Sequence, residues 1–216
     1  MLSIPVHTQI LAAVASAEVL YYYGSAIVTP HDMFSLSIGV PGCKINTNRV
    51  AYWPMSVDCD NICVNLSYQG RNLNLLKIDT SAGAFDISYD AWNYLGFGFS
   101  ATESPRMGGG LPMNYEFVPA SECADLLDDG RLPLLAANSM SYLASCLSEP
   151  SSWVSQNYKL FNIVDPVCHW GVDEECVVNL AISNQPACPS GLGLNAALDL
   201  PVINIAYGTG IATPAL

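Results

Sequence analysis

Eight cysteines constrain this chain more than any other feature: Cys43, Cys59, Cys63, Cys123, Cys146, Cys168, Cys176 and Cys188. The number is even, no two are spaced as CxxC, and only three histidines are present. Tetrahedral zinc spacing is therefore missing, and neither a metal nor a cofactor is expected. Four disulfides are the natural account, with buried free thiols as the alternative. Their pairing cannot be read from spacing, since eight cysteines allow about 105 connectivities. Disulfides persist in oxidising compartments, so the expected location is secreted, extracellular.

The N-terminus offers a second pointer to export. Ile10 to Val14 is a short apolar run, and Ala15-Ser16-Ala17 places small residues where a signal peptidase reads them. Residues 1–17 are accordingly expected to be a signal peptide, although Met1 to Gln9 lacks lysine and arginine. The alternative is an apolar helix, Ile10 to Tyr23, docked on the core. Glu18 interrupts this stretch, so no transmembrane helix is expected.

At 216 residues the chain fits one domain with a sizeable elaboration. Hydrophobic residues make up 51% and charged residues 12%, which excludes a disordered chain. The net charge of -12, with three lysines and four arginines, cannot supply a basic footprint. Nucleic acid and anionic membrane surfaces are thereby excluded as partners.

Along the chain, residues 18–42 read as an extended, Gly- and Pro-punctuated lead-in. Ile62, Val64, Leu66 and Tyr68 alternate with polar or small residues, the period of a half-buried strand. Gln69-Gly70 then turns the chain, and Leu73 to Ile78 returns, so residues 61–79 are predicted to form a hairpin. Ser88 is predicted to cap a helix over Tyr89 to Leu95, with Asp90 in its first turn and Gly96 just past its end. Gly108-Gly109-Gly110 has no phosphate-loop spacing and reads as a surface turn. Tyr115 to Val118 is predicted as a closing strand. Ser121 to Leu127 and Asn138 to Leu147 have helical spacing. Asn65-Leu66-Ser67 is a glycosylation sequon on the polar face of its strand.

The run from Cys63 to Arg71, then Leu76-Lys77-Ile78-Asp79, then Phe85-Asp86-Ile87-Ser88, then Ala91 and Leu95, resembles the double-psi β-barrel superfamily. Expansins, barwin-like proteins, certain lytic transglycosylases and family-45 endoglucanases belong to it. The resemblance covers about a third of the chain. It implies a mainly β fold with some α: a six-stranded double-psi β-barrel over residues 43–118. Residues 119–216 are expected as a disulfide-linked helical and loop-rich extension packed on the barrel. The Lys44 to Pro54 stretch also resembles a group of uncharacterised secreted fungal proteins, which carries no assigned activity.

What the resemblance implies for a site is limited. Asp86 falls where expansins and the endoglucanases keep an Asp, the general acid of the hydrolases. Asp79 falls near an Asp that the lytic branch keeps after its second strand. Tyr52-Trp53 is similar to the Tyr-Trp that precedes the endoglucanase base, but Pro54 follows here and carries no carboxylate. Asp58 and Asp60 lie a few residues on and are the candidates to take its place. The residues by themselves allow plainer roles. Asp86 precedes a helix start, where a carboxylate is favoured by the dipole. Asp79 before Thr80-Ser81 is placed to form an Asx turn.

These readings lead to an expansin-like protein that binds or loosens cell-wall polysaccharide, with Asp86 and Asp79 in a groove. Tyr52 and Trp53, expected to be partly exposed, would stack on sugar rings. If the protein is an enzyme, it is glycan-directed with Asp86 as general acid. The alternative is a non-catalytic secreted interaction module, an effector or enzyme inhibitor, whose partner is another secreted protein. Cys43, Cys59 and Cys63 precede the other five, so full internal pairing requires at least one bridge from barrel to extension.

Overall fold

A computed structural model describes residues 22–216. The signal peptide expected over residues 1–17 lies outside them. Of the alternative helix only Tyr22 and Tyr23 are described, and Tyr23 begins a strand.

Six strands close into a barrel: β1 (Tyr23–His31), β2 (Val50–Trp53), β3 (Cys63–Tyr68), β4 (Arg71–Thr80), β5 (Phe85–Ser88) and β6 (Leu111–Phe117). Their order around the wall is β1-β5-β2-β4-β3-β6. β1 runs parallel to β5 and β2 parallel to β4, while the remaining neighbours are antiparallel. The barrel therefore takes its first strand from the stretch read as an extended lead-in. Ala26 and Val28 turn inward there while Ser25, Ile27 and Thr29 turn out, a short alternation that the neighbouring Gly and Pro residues obscure.

The β3–β4 hairpin follows the predicted turn. Gln69 and Gly70 both adopt positive φ, 49° and 81°, as a two-residue turn matching strand twist requires. Val28, Ala51, Trp53, Val64, Ile87 and Met113, all fully buried, fill the barrel. Tyr89, Trp92 and Leu95 of helix α1 (Tyr89–Phe97) extend the same cluster. Helix α1 runs two residues past its predicted end. Gly98, at φ 85°, closes it by donating its N–H to the Tyr94 carbonyl. Ser88 makes no side-chain cap hydrogen bond, contrary to expectation.

On the outer wall Val50, Tyr52, Leu76 and Ile78 form a second core with Cys123, Leu134, Leu143 and Leu160 from the following half of the chain. That half is less helical than its spacing suggested. Ala120–Leu126 is a 3-10 helix, and the α-helices are α2 (Met140–Leu147) and α3 (Trp153–Gln156). Between and after them lie β7 (Leu132–Leu135), β8 (Tyr158–Ile163) and β9 (Gly171–Cys176), a three-stranded sheet in that order. β10 (Ile203–Ile205) and β11 (Ala212–Pro214) form a two-stranded ribbon. β7 escapes periodicity because all four of its residues are buried, so no polar position alternates.

All eight cysteines are paired: Cys43–Cys168, Cys59–Cys146, Cys63–Cys123 and Cys176–Cys188. Three bridges fasten the barrel half to the extension, and the fourth closes a loop within the extension. Among the described residues no helix is long and apolar enough to cross a membrane.

Candidate functional site

Strand register brings Asp86 and Asp79 into one row. β2 lies between β5 and β4, and Tyr52 pairs with Asp86 on one side and Asp79 on the other. Thr29 on β1 pairs in turn with Asp86, so the row reads Thr29, Asp86, Tyr52, Asp79 across four strands. An irregularity between Ala51 and Tyr52 shifts the β2–β4 register and sets Asp79, rather than Ile78, opposite Tyr52.

Both carboxylates are half-buried and hydrogen-bonded. The Thr29 hydroxyl donates to Asp86 Oδ1. Ser35 Oγ donates to Asp79 Oδ2 at 2.5 Å, and the Thr80 N–H donates to Oδ1 at 2.8 Å. The Thr80 contact is a local side-chain-to-backbone bond, in keeping with the turn-forming role open to Asp79. Tyr52 is only 4% exposed, and the His31 ring packs on it at 4.8 Å. Burial pushes the Tyr52 hydroxyl well above its ordinary range, and the Asp79 and Asp86 charges add to this. A phenol so placed stays protonated and uncharged between the two carboxylates.

Trp53 is fully buried, with its ring edge-on to Phe85, Tyr115 and Phe117 inside the barrel. The expectation that Tyr52 and Trp53 are partly exposed is thereby corrected. Large aromatic faces gain more from core contact than from water, and a side chain that fills the barrel cannot stack on a sugar. Beside Tyr52, His31 and Ser88 the crevice holds about 10 Å³, the space of a single water.

Asp58 and Asp60 lie on the loop between β2 and β3 and do not join the row. Asp58 Oδ1 accepts the Asp60 and Asn61 N–H groups, an Asx turn. Asp60 Oδ1 accepts the Trp153 N–H at 2.7 Å and so fastens the start of α3. Sequence reasoning missed Thr29, His31 and Ser35, all from the region taken as lead-in. Thr29 and His31 share one face of β1, a short signal, whereas Ser35 lies past the strand and carries none.

Next to the row, Arg49 Nη1 meets Asp90 Oδ2 at 2.7 Å. Asp90 Oδ1 accepts from Ser100 Oγ and the Ala101 N–H. Burial alone would raise the Asp90 carboxyl; the bonds from Arg49, Ser100 and Ala101 outweigh it and hold the group below its ordinary range. Below β4, Lys77 is 1% exposed and donates to the Ser56 carbonyl at 2.5 Å, with its ammonium over the Phe117 ring. Burial lowers its pKa.

Among the described residues no cluster of three or more His, Cys, Asp or Glu is arranged to hold a metal ion. No family model matches the chain, and neither a curated protein nor a solved structure matches it.

Proposed function

We propose that this is a secreted, glycan-binding protein on a double-psi barrel, in which Asp86 and Asp79 contact the sugar chain without efficient hydrolysis. The double-psi reading draws support from two parallel strand pairs, β1/β5 and β2/β4, inside one closed barrel. The Phe85–Ser88 strand running directly into α1 is the arrangement the family resemblance implies. Four disulfides favour an oxidising compartment and hence export.

The observation that carries the reading is the pair of half-exposed carboxylates flanking Tyr52. They stand two strand spacings apart, about 9–10 Å between backbones. Carboxylate oxygens on either side of Tyr52 are acceptors suited to the hydroxyl donors of a sugar. Asp86→Ala is expected to keep the thermal midpoint within a few degrees and to abolish binding to cell-wall glycans. Unchanged binding in that variant overturns the assignment.

The second reading, an interaction module that engages a secreted protein, has its own support. With Tyr52 and Trp53 buried and the crevice beside Tyr52 the size of one water, neither ring is available as a platform for a sugar. Wild-type protein that binds no glycan would favour this reading.

A further inference from the structure

The outer wall opposite the Asp86 row carries an ordered array of amides. Asn74, Asn65, Glu116 and Tyr23 stand side by side across β4, β3, β6 and β1. One step along, Asn72, Ser67, Asn114 and Ser25 form a second row across the same strands. All eight alternate with inward residues such as Leu66, Leu73, Met113 and Ala26, and therefore face outward.

Asparagine is depleted in strands because its side chain competes for backbone hydrogen bonds. Four of them on adjacent positions of a barrel wall break that local preference, a breach expected where function demands it. The sheet itself uses little of their capacity. Asn65 Nδ2 donates to Asn74 Oδ1 at 2.7 Å, Asn74 Nδ2 to the Glu122 carbonyl at 3.0 Å, and Ser25 Oγ to Asn114 Oδ1 at 2.5 Å. The Asn72 side chain and the Asn114 Nδ2 make no hydrogen bond among the described residues. Each primary amide offers two donors and an acceptor with two lone pairs.

The surface is also shaped. A groove of about 690 Å³ is floored by Asn72, Asn74 and Asn65, and a second of about 470 Å³ by Asn65, Ser67 and Asn114. Asn65 lines both. Tyr23, 59% exposed among the described residues, stands at the end of its row. Neither row contains a lysine or arginine, and the chain's net charge of -12 repels polyanions. Seven of the eight positions are uncharged donors or acceptors, Glu116 being the exception, and Arg49, Glu122 and Asp125 border the larger groove; a surface so dominated by amides and hydroxyls matches a neutral, hydroxyl-rich chain.

We infer that the Asn65–Asn72–Asn74–Asn114 face is a binding surface for a neutral polysaccharide, distinct from the Asp86 row. This deepens the glycan-directed reading and rests on it only for the ligand class. The two surfaces connect along β1, whose outward residues run from Ser25 through Ile27 to Thr29 beside Asp86. That span of four residues, about 13 Å, suits an extended chain more than a single sugar.

The test measures affinity for soluble neutral β-glucan, with polygalacturonate as the anionic counterpart. The protein is made in a bacterial periplasm, where the disulfides form and the Asn65-Leu66-Ser67 sequon carries no sugar. Asn72 and Asn114 are exposed, so the N72A/N114A double variant is expected to fold with an unchanged thermal midpoint. It is expected to bind β-glucan at least tenfold more weakly than wild type. Loss in this variant but not in Asp86→Ala supports the face and removes the Asp86 assignment; loss in both supports both. Loss in Asp86→Ala alone, preference for polygalacturonate, or self-association through the face without glucan binding overturns the inference. Wild type that binds no glucan overturns both readings.

Discussion

Arg49 reaches Asp90 at 2.7 Å across the space between the turn that enters β2 and the first turn of α1. Asp90 has a side chain only 6% exposed, so removing its charge leaves the partly buried Arg49 guanidinium, 23% exposed, without its counter-charge. Asp90→Asn is expected to destabilise the fold by about 2–4 kcal/mol, read by urea unfolding. The folded carboxyl lies below its unfolded value near 3.8. Its contribution is therefore complete above that value and is lost as pH falls through the lower, folded one. Acid unfolding should accordingly begin at a higher pH in Asp90→Asn, whose margin is smaller, and the wild-type advantage should vanish under strongly acidic conditions.

Trp53 fills the barrel, and Trp53→Ala should cost about 3–5 kcal/mol of stability. Trp53→Phe should cost much less, because the buried Trp53 Nε1 has no hydrogen-bond partner among the described residues. A denaturation midpoint left unmoved by Trp53→Ala would contradict the buried position.

Gln69 sits at positive φ in the β3–β4 turn, a conformation that costs most residues about 1 kcal/mol. Gln69→Asn, which tolerates that region better and completes an Asn-Gly turn, should raise stability by about 0.5–1 kcal/mol. Thermal unfolding of the single variant checks this, and a lowered midpoint would show that the side chain matters more than the backbone.

The Cys63–Cys123 bridge joins the first residue of β3 to the 3-10 helix and closes a 60-residue separation. Replacing both cysteines with alanine should cost about 4 kcal/mol in the chain-entropy account. Comparison of chemical unfolding with and without reductant, in wild type and variant, measures it.

Parts of this fold were legible because the physical signal was local. The 61–79 hairpin showed its strand by alternation and its turn by Gln69-Gly70. Cysteine parity required at least one bridge from barrel to extension, and three are present. Other parts depended on distant partners. β1 shows only a brief alternation and gains its stability from β5 and β6, which lie far along the chain. Leu132–Leu135 is buried on every side, so neither the strand nor the helix period marks it. Asp79 and Asp86 were singled out by resemblance; that Tyr52 stands between them follows from a register shift no sequence pattern announces. Trp53 was misjudged for a simple reason: an aromatic that would suit a sugar platform suits a barrel interior better.

The three long-range bridges also decide what a protease can accomplish. Any single cut between residues 124 and 145 leaves Cys43–Cys168 and Cys59–Cys146 spanning the break. A nicked molecule would travel as one species until reduced and only then fall into two pieces. Wherever the chain meets a protease, that converts a severed backbone from an ending into a tolerated scar.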